Sequence, residues 1–153
     1  MLLDSLAQFA TAEEITFGAG TNLIGDVMDL SVVRDIGDGT PLWMVIQVST
    51  AFANGTSFQF IIASDSQAAI TTTGAESRHY LSDVFLTAEL TQGFQIGVAL
   101  PLGDVSGGIT PYERFLGVLG KGVGTHDAGN VNAFLTLTPP STHRITEFED
   151  ANN

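Results

Sequence analysis

The stretch from Pro41 to Asp65 constrains the fold most, because it contains two alternating apolar runs joined by an Asn-Gly pair. The first run places Met44, Ile46 and Val48 on one face, and the second places Phe58, Phe60 and Ile62 on one face. This period of two predicts two half-buried β-strands. Asn54-Gly55 predicts the turn between them, since both residue types tolerate the positive φ of hairpin turns. Two strands cannot cover their own apolar faces, so the remaining chain must supply more sheet.

Further short strands are predicted at intervals of roughly 8 to 12 residues, with turn-forming residues between them. They lie at 15–17, 21–27, 70–73, 84–90, 94–100, 112–120 and 131–137. A helical turn is the alternative for 84–90. The run 112–120 is apolar on both faces, which predicts a strand that is central or covered twice. With no long helix in view, the pattern indicates an all-β sandwich or barrel.

The 153 residues fit a single domain. We divide it into an N-terminal arm over 1–14, a β-sandwich over 15–140 and a polar, acidic tail over 141–153. The arm begins either as a short helix capped by Ser5 or as an extended segment. A glycine-rich turn is predicted over 120–129.

The charge of the chain excludes several classes of partner. Seventeen acidic residues against five basic ones give a net charge of -12. Such a field repels nucleic acids and anionic membranes, so we expect neither as a direct partner. The absence of cysteine excludes disulfides, thiolate zinc sites and a cysteine nucleophile. We also expect no secretory signal in Met1–Ala12 and no membrane span, because no apolar run approaches the roughly 20 residues that a span needs.

Two glycine-rich motifs invite a ligand-binding interpretation, and both fit a turn better. The motif GVLGKG at 117–122 has Phe115 where a phosphate-binding loop needs glycine, and Gly122 where it needs Ser or Thr. We therefore expect a turn at the end of a strand. The motif DIGDG at 35–39 lacks the spacing of an EF-hand and predicts a tight turn.

The histidines do not form a recognisable catalytic or metal pattern. His79, His126 and His143 lie far apart in sequence and none is at ligand spacing from another. The His126-Asp127 pair is compatible with a base and its orienting acid, but no serine elbow accompanies it. We therefore expect no catalytic residues, no metal site, no cofactor and no enzymatic activity.

The order of the segments resembles the capsid cement, or decoration, proteins of short-tailed bacteriophages. The segments that carry the resemblance are TAEEIT (11–16), TNLIGDV (21–27), RDIGDGTPLWMVIQV (34–48), FANGTSFQFIIASD (52–65), GFQIGVALPLG (93–103), ERFLGVLGKG (113–122) and NVNAFLTL (130–137). Each one is a generic strand with a turn, and their order and spacing make the resemblance.

The resemblance implies a jelly-roll-like antiparallel β-sandwich on the outer surface of a phage capsid. It implies a structural virion protein that binds the major capsid protein and cements neighbouring capsid subunits. A bridging role over a symmetric shell predicts a homo-oligomer, either a dimer or a trimer. The acidic charge fits a place outside the shell, away from packaged DNA.

The N-terminal arm supplies the candidate partner contacts, Leu2, Leu3, Leu6 and Phe9, because these apolar residues have no periodic partner in the predicted sandwich. We expect deletion of Met1–Ala10 to leave the sandwich folded and to abolish binding to heads. The alternative is that the four side chains fold back onto their own core. A different function, a lectin-like carbohydrate-binding jelly roll, would use the aromatic residues Trp43, Tyr80 and Tyr112 beside Asp35 and Asp38.

Overall fold

The computed structural model describes residues 5–32, 41–101 and 112–138, and within these ranges the chain is all-β. Nine strands run through this part of the chain: β1 (Gln8–Glu14), β2 (Gly20–Asp29), β3 (Trp43–Asn54), β4 (Ser57–Asp65), β5 (Ser77–Leu81), β6 (Phe85–Leu86), β7 (Gln95–Ala99), β8 (Phe115–Val123) and β9 (His126–Thr136). Two short 3-10 helices, Ser5–Ala7 and Thr87–Glu89, accompany them.

The strands form two antiparallel sheets that pack as a sandwich. Sheet A has the order β1-β9-β3-β7, and sheet B has the order β2-β8-β4-β5 with the short β6 also paired to β4. When β6 is set aside, each sheet has four strands, and consecutive strands lie in different sheets except for β4 and β5, which pair within sheet B. Eight strands in two sheets of this order form a jelly roll. The predicted fold class, an all-β jelly-roll-like antiparallel sandwich, is therefore confirmed.

The central stretch forms its two strands, but they do not pair with each other. β3 lies in sheet A and β4 in sheet B, so the predicted hairpin is instead a corner where the chain changes sheets. Asn54 and Gly55 supply the bend with φ of 56° and 65°. The long strand pair β3–β9 continues around this corner as β4–β8, with Asn54 opposite His126 before the bend and Ser57 opposite Val123 after it. Bends of this kind are how strands switch sheets in a sandwich.

The main core fills the space between the sheets. The alternation in the sequence predicts correctly which faces of β3 and β4 point into this core. The buried residues are Met44, Ile46 and Val48 of β3 and Phe58, Phe60 and Ile62 of β4. They are joined by residues such as Leu116, Val118, Val131 and Ala133 from β8 and β9. Each such side chain contributes about 1.5–3 kcal/mol of burial free energy, which makes these central strands the main source of stability.

A second, smaller cluster covers the outer face of sheet B. Ile61, Ala63 and Leu119 point away from the main core and are buried beneath Ile70. A Cβ on Gly117 would lie 2.6 Å from the Ile70 side chain, so the glycine leaves room for this cover. The prediction that the 112–120 run is central or covered twice is confirmed, because β8 lies between β2 and β4.

Two carboxylates hold the covering segment 66–76 in place. The Asp65 carboxylate accepts hydrogen bonds from the backbone N–H and the hydroxyl of Thr71 and from the backbone N–H of Gln67. The Glu76 carboxylate accepts from the Gly74 backbone and from the Arg78 guanidinium. Burial alone would raise the pKa of the Asp65 carboxyl, but these hydrogen bonds outweigh burial and lower it.

Several predicted boundaries are wrong. The sandwich begins at Gln8 and not at Ile15, because β1 pairs with β9, and 15–17 is not a strand. The predicted strand at 70–73 is part of the covering segment, whereas Ser77–Leu81 forms the unpredicted β5. β8 and β9 extend through most of the predicted turn at 120–129, which is reduced to Gly124 and Thr125. The motif 35–39 and the tail 141–153 lie outside the described residues.

Candidate functional site

The four predicted partner contacts differ in whether they lie among the described residues and in how exposed they are. Leu2 and Leu3 lie outside the described residues. Leu6 is on the first 3-10 helix with 81% of its surface exposed, whereas Phe9 is 2% exposed and belongs to the main core. The reasoning that the apolar residues of the arm have no partner in the sandwich was therefore wrong for Phe9, which the structure takes out of the candidate contact surface.

Phe9 is buried because β1 adds to the edge of sheet A. Gln8 pairs with Phe134, and Ala10 pairs with Ala133 on β9. The Asn132 side chain accepts a hydrogen bond from the Ala12 backbone N–H over 2.6 Å, and the Asn130 amide donates to the Ala12 carbonyl over 2.8 Å. This added strand turns Phe9 inward. Of the four candidates, Leu6 is the described residue that a partner can reach.

A second group of exposed apolar side chains lies on the outer face of sheet B. The residues Leu81, Leu86 and Val123, called the outer-face patch below, are each about half exposed. Ser57 of β4 pairs with Leu86 on one side and with Val123 on the other, and Ile61 pairs with Leu81. Cross-strand partners share a face, so these residues point outward as Ile61 does. Sequence reasoning missed the patch because its members are up to 42 positions apart.

His126 occupies the corner where the strands change sheets. Its ring is fully buried and contacts Phe52 and Phe58 edge-on, with centroids 5.9 and 5.2 Å away. Its Nε2 lies 3.4 Å from the Thr87 hydroxyl, and its Nδ1 has no hydrogen-bond partner among the described atoms. Burial lowers the pKa of His126, and the neighbouring Asp127 opposes that shift. The ring is therefore a neutral part of the core.

The His126-Asp127 motif does not form a base and its orienting acid. The Asp127 carboxylate accepts both of its 2.7 Å hydrogen bonds from the Asn54 side-chain amide, on the opposite strand of the corner. This bond ties β9 to β3 where the chain bends. His126 and Asp127 are adjacent in sequence, but they have separate structural roles: the His126 ring is part of the core, and the Asp127 carboxylate binds Asn54.

Ser64 and His79 form a pair that the sequence does not reveal. The Ser64 hydroxyl lies 2.7 Å from His79 Nε2, and the His79 ring stacks on Tyr112 at 3.8 Å. These are the residue types of a nucleophile and its base. However, Ser64 is fully buried and its oxygen accepts a hydrogen bond from the Glu113 backbone N–H. The pair links β4, β5 and the start of β8, and its oxygen is shielded from a substrate.

The aromatic residues considered for carbohydrate binding do not stand out from the surface. Tyr112 is fully buried and donates a hydrogen bond to the Pro101 carbonyl over 2.6 Å. Trp43 and Tyr80 are partly buried. Desolvation raises the pKa of Tyr80, and the charge of Asp83 adds to the effect. An aromatic platform for sugar stacking is therefore not formed by these three residues.

Two ion pairs occur among the described residues. Arg114 binds Asp29 in a bidentate arrangement with distances of 2.9 and 2.8 Å, and Arg78 pairs with Glu76. The hydrogen bonds from Arg114 and from the Ser31 backbone lower the pKa of Asp29 to about 2. Across the described ranges, no cluster of three or more His, Asp or Glu side chains is arranged to hold a metal ion. No helix in those same ranges is long and apolar enough to cross a bilayer.

The family match covers nearly the whole sandwich. The sequence matches the model of the Bbp16 family over residues 9–135. The chain belongs to the Bbp16 family. No curated protein matches the sequence. The Bbp16 match begins at Phe9 and ends at Leu135, and both residues are in the main core.

The two exposed apolar sites, Leu6 and the outer-face patch, differ in whether they lie within the residues matched by the Bbp16 family model. The outer-face patch lies inside the matched range, on strands of the Bbp16 sandwich. Leu6 lies just before that range. The patch therefore lies in the part of the chain that the family model matches, and Leu6 does not.

Proposed function

We propose that this Bbp16 family protein is a structural virion protein that binds the outer surface of a phage head and cements neighbouring major capsid subunits. The observation that carries the proposal is the ordered resemblance to the cement proteins of short-tailed phages. That resemblance runs from 11 to 137, nearly the same stretch as the Bbp16 match over 9–135. The Bbp16 name itself hints at a phage-related protein.

The described structure supports a role that depends on binding. A ligand that binds the assembled shell better than its free subunits stabilises the shell by mass action, and no covalent step is needed. The jelly roll provides a rigid body for such bridging, since its two sheets share the main core and the His126 ring packs against Phe52 and Phe58 at the corner. Exposed apolar side chains at Leu6 and in the outer-face patch provide contact area on this body.

The charge supports a place outside the shell. With a net charge of -12, the protein is repelled by packaged DNA and is attracted to basic regions of a capsid surface. We propose the major capsid protein as the principal partner and a dimer or trimer of the chain as the binding species. Multivalent attachment of a symmetric oligomer would turn weak individual contacts into durable binding.

The proposal is tested by mixing the purified full chain with expanded heads of a phage that encodes it, prepared without this protein. We expect it to cosediment with the heads in a saturable ratio and to raise their resistance to heat. Unexpanded proheads and an unrelated acidic jelly-roll protein serve as controls. Absence of saturable binding to the cognate heads would overturn the proposed function.

A further inference from the structure

Asn54 and Gly55 form the bend between β3 and β4, and the geometry of the bend suits these two residue types. Their φ values of 56° and 65° lie in the left-handed region, which asparagine tolerates better than most residues and glycine adopts freely. A side chain at position 55 would also meet the His126 ring, because a Cβ there would lie 2.5 Å from it. The corner therefore favours an Asn-Gly pair at a position where both residues are exposed.

An Asn-Gly pair can modify itself, because glycine has no side chain to hinder attack by its backbone nitrogen on the preceding side-chain amide. The deprotonated Gly55 nitrogen forms a bond to Cγ of Asn54 and closes a five-membered succinimide ring, while the side-chain nitrogen takes up a proton and leaves as ammonia. Water then opens the ring at either carbonyl and gives aspartate or isoaspartate. The reaction consumes one water, releases one ammonia and needs no other reactant. The sequence places no other asparagine before a glycine.

The Asp127 carboxylate holds the nitrogen that this reaction expels. Nδ2 of Asn54 donates to both carboxylate oxygens over 2.7 Å, and hydrogen bonds to an ionised acceptor are stronger than those between neutral groups. An ionised carboxylate also has no proton to give to a departing nitrogen. Both hydrogen bonds must break before ammonia leaves, so Asp127 opposes the reaction.

We infer that Asn54 is a self-modification site of this chain, at which deamidation is restrained by Asp127 and opens the corner once it occurs. Aspartate at this position would place an oxygen where Nδ2 lies, 2.7 Å from both Asp127 oxygens, so that two carboxylates repel each other between β3 and β9. Isoaspartate would lengthen the main chain by one carbon beside Gly55, which lies against the His126 ring. Either product removes the link that ties the two strands together at the bend.

Incubation of the purified full chain in mildly alkaline buffer, followed by trypsin digestion and mass spectrometry, tests the site. Cleavage after Arg34 and Arg78 releases 35–78, in which Asn54 is the one asparagine. We expect this peptide to gain the mass of an amide-to-acid conversion, with fragmentation locating the change at Asn54 and isoaspartate among the products. Asn54→Gln should abolish the gain, because the longer side chain does not close a five-membered ring. The peptide 122–144, whose asparagines precede Val and Ala, is the internal control and should stay unchanged.

Removal of the carboxylate tests the restraint. Asp127→Ala should speed the conversion of Asn54 severalfold, and Asp127→Asn, which keeps an acceptor oxygen without the charge, should give an intermediate rate. Asp127 is exposed, so both variants should fold, and far-UV circular dichroism before incubation checks this. Asp26→Ala removes another exposed carboxylate and should leave the rate unchanged. A rate in Asp127→Ala equal to or below that of the wild type would overturn the restraint, and no conversion in either chain would overturn the site.

The converted chain can be separated by anion exchange because it carries an additional negative charge. We expect it to unfold at a lower urea concentration than the parent chain and to exchange the Thr56 amide hydrogen faster, since that N–H donates to the Val123 carbonyl across the corner. An equal urea midpoint together with equal exchange would show that the corner stays closed and would overturn this part of the inference. None of these measurements uses a capsid, so their outcome is independent of the proposed function.

Discussion

Gly55 lies directly against the buried ring of His126, so that a Cβ on Gly55 would be 2.5 Å from both Nε2 and Cε1 of that ring. The contact joins the two corners of the sandwich, since Gly55 belongs to the β3–β4 bend and His126 opens β9. The Thr56 backbone N–H also donates to the Val123 carbonyl across the same junction, over 2.7 Å. The backbone at Gly55 and the His126 ring are therefore in close contact at the corner.

Substitution of Gly55 tests this packing. We expect Gly55→Ala to lower the free energy of unfolding by about 3 kcal/mol or more, because a positive φ of 65° is strained for alanine and the His126 ring must also move. Gly74→Ala is the matched control, with φ of 99° and open space around its Cβ, and should lose about 1–2 kcal/mol. Urea denaturation of both variants measures the difference, and equal losses would contradict the packing at this corner.

The pH dependence of stability should reveal the neutral state of His126. Its pKa is lowered in the folded protein by burial, so the unfolded chain binds a proton more readily. The resulting stability is complete above the unfolded pKa of about 6.5 and is lost as the pH falls toward the folded pKa. We expect the urea midpoint to drop between about pH 7.5 and 5.5. His126→Gln should lower stability at neutral pH and reduce this slope, whereas an unchanged slope would assign the effect to other groups.

The sequence predicts the fold class better than the connections between strands. Met44 and Phe58 begin clear alternating runs, so β3 and β4 are recognisable without any partner. Asn54-Gly55 predicts a change of direction, but the same positive φ values suit a hairpin and a change of sheets. The choice depends on pairing with β8 and β9, about 70 residues further along the chain. Local chemistry cannot supply that information.

Two of the four edge strands, β1 and β5, are not revealed by the sequence, whereas the other two, β2 and β7, match the strands predicted at 21–27 and 94–100. β1 has two buried apolar residues in succession, Phe9 and Ala10, and ends in exposed Thr11, Ala12, Glu13 and Glu14. β5 is short and has no fully buried residue. These two strands lack the period-two signal because burial does not alternate along either of them. For the same reason, Leu6 and Phe9 looked equivalent in sequence although their environments differ.

The outer cover of sheet B should depend on Asp65. We expect Asp65→Asn to lower the free energy of unfolding by about 1–3 kcal/mol, because one of the accepting oxygens becomes a donor that faces backbone N–H groups. Exposed Asp26 provides the control, and Asp26→Asn should change stability by less than about 0.5 kcal/mol. Dye binding to exposed apolar surface should increase in the first variant alone, as Ile70 leaves Leu119. Equal stability of both variants would show that the segment 66–76 holds its place without this carboxylate.

The N-terminal arm can be separated into a folding part and a candidate binding part. Deletion of Met1–Ala10 is no longer expected to leave the sandwich intact, because it removes Phe9 and Ala10 from the core. Loss of a buried Phe side chain typically costs about 3–5 kcal/mol. A shorter deletion, Met1–Ala7, keeps β1 and should retain the unfolding midpoint of the full chain.

These two truncations, with Leu6→Ser, decide whether the arm anchors the protein. If Leu6 and the residues before it contact the shell, the Met1–Ala7 deletion should fold normally and lose binding to expanded heads, and Leu6→Ser should weaken binding severalfold. Leu137→Ser, at an equally exposed leucine after β9, is the control. An apolar anchor should also persist in high salt, where purely electrostatic attachment weakens steeply. Heads decorated equally by the full chain and by the Met1–Ala7 deletion would move the contact from the arm to the sandwich, where the outer-face patch is the next surface to test.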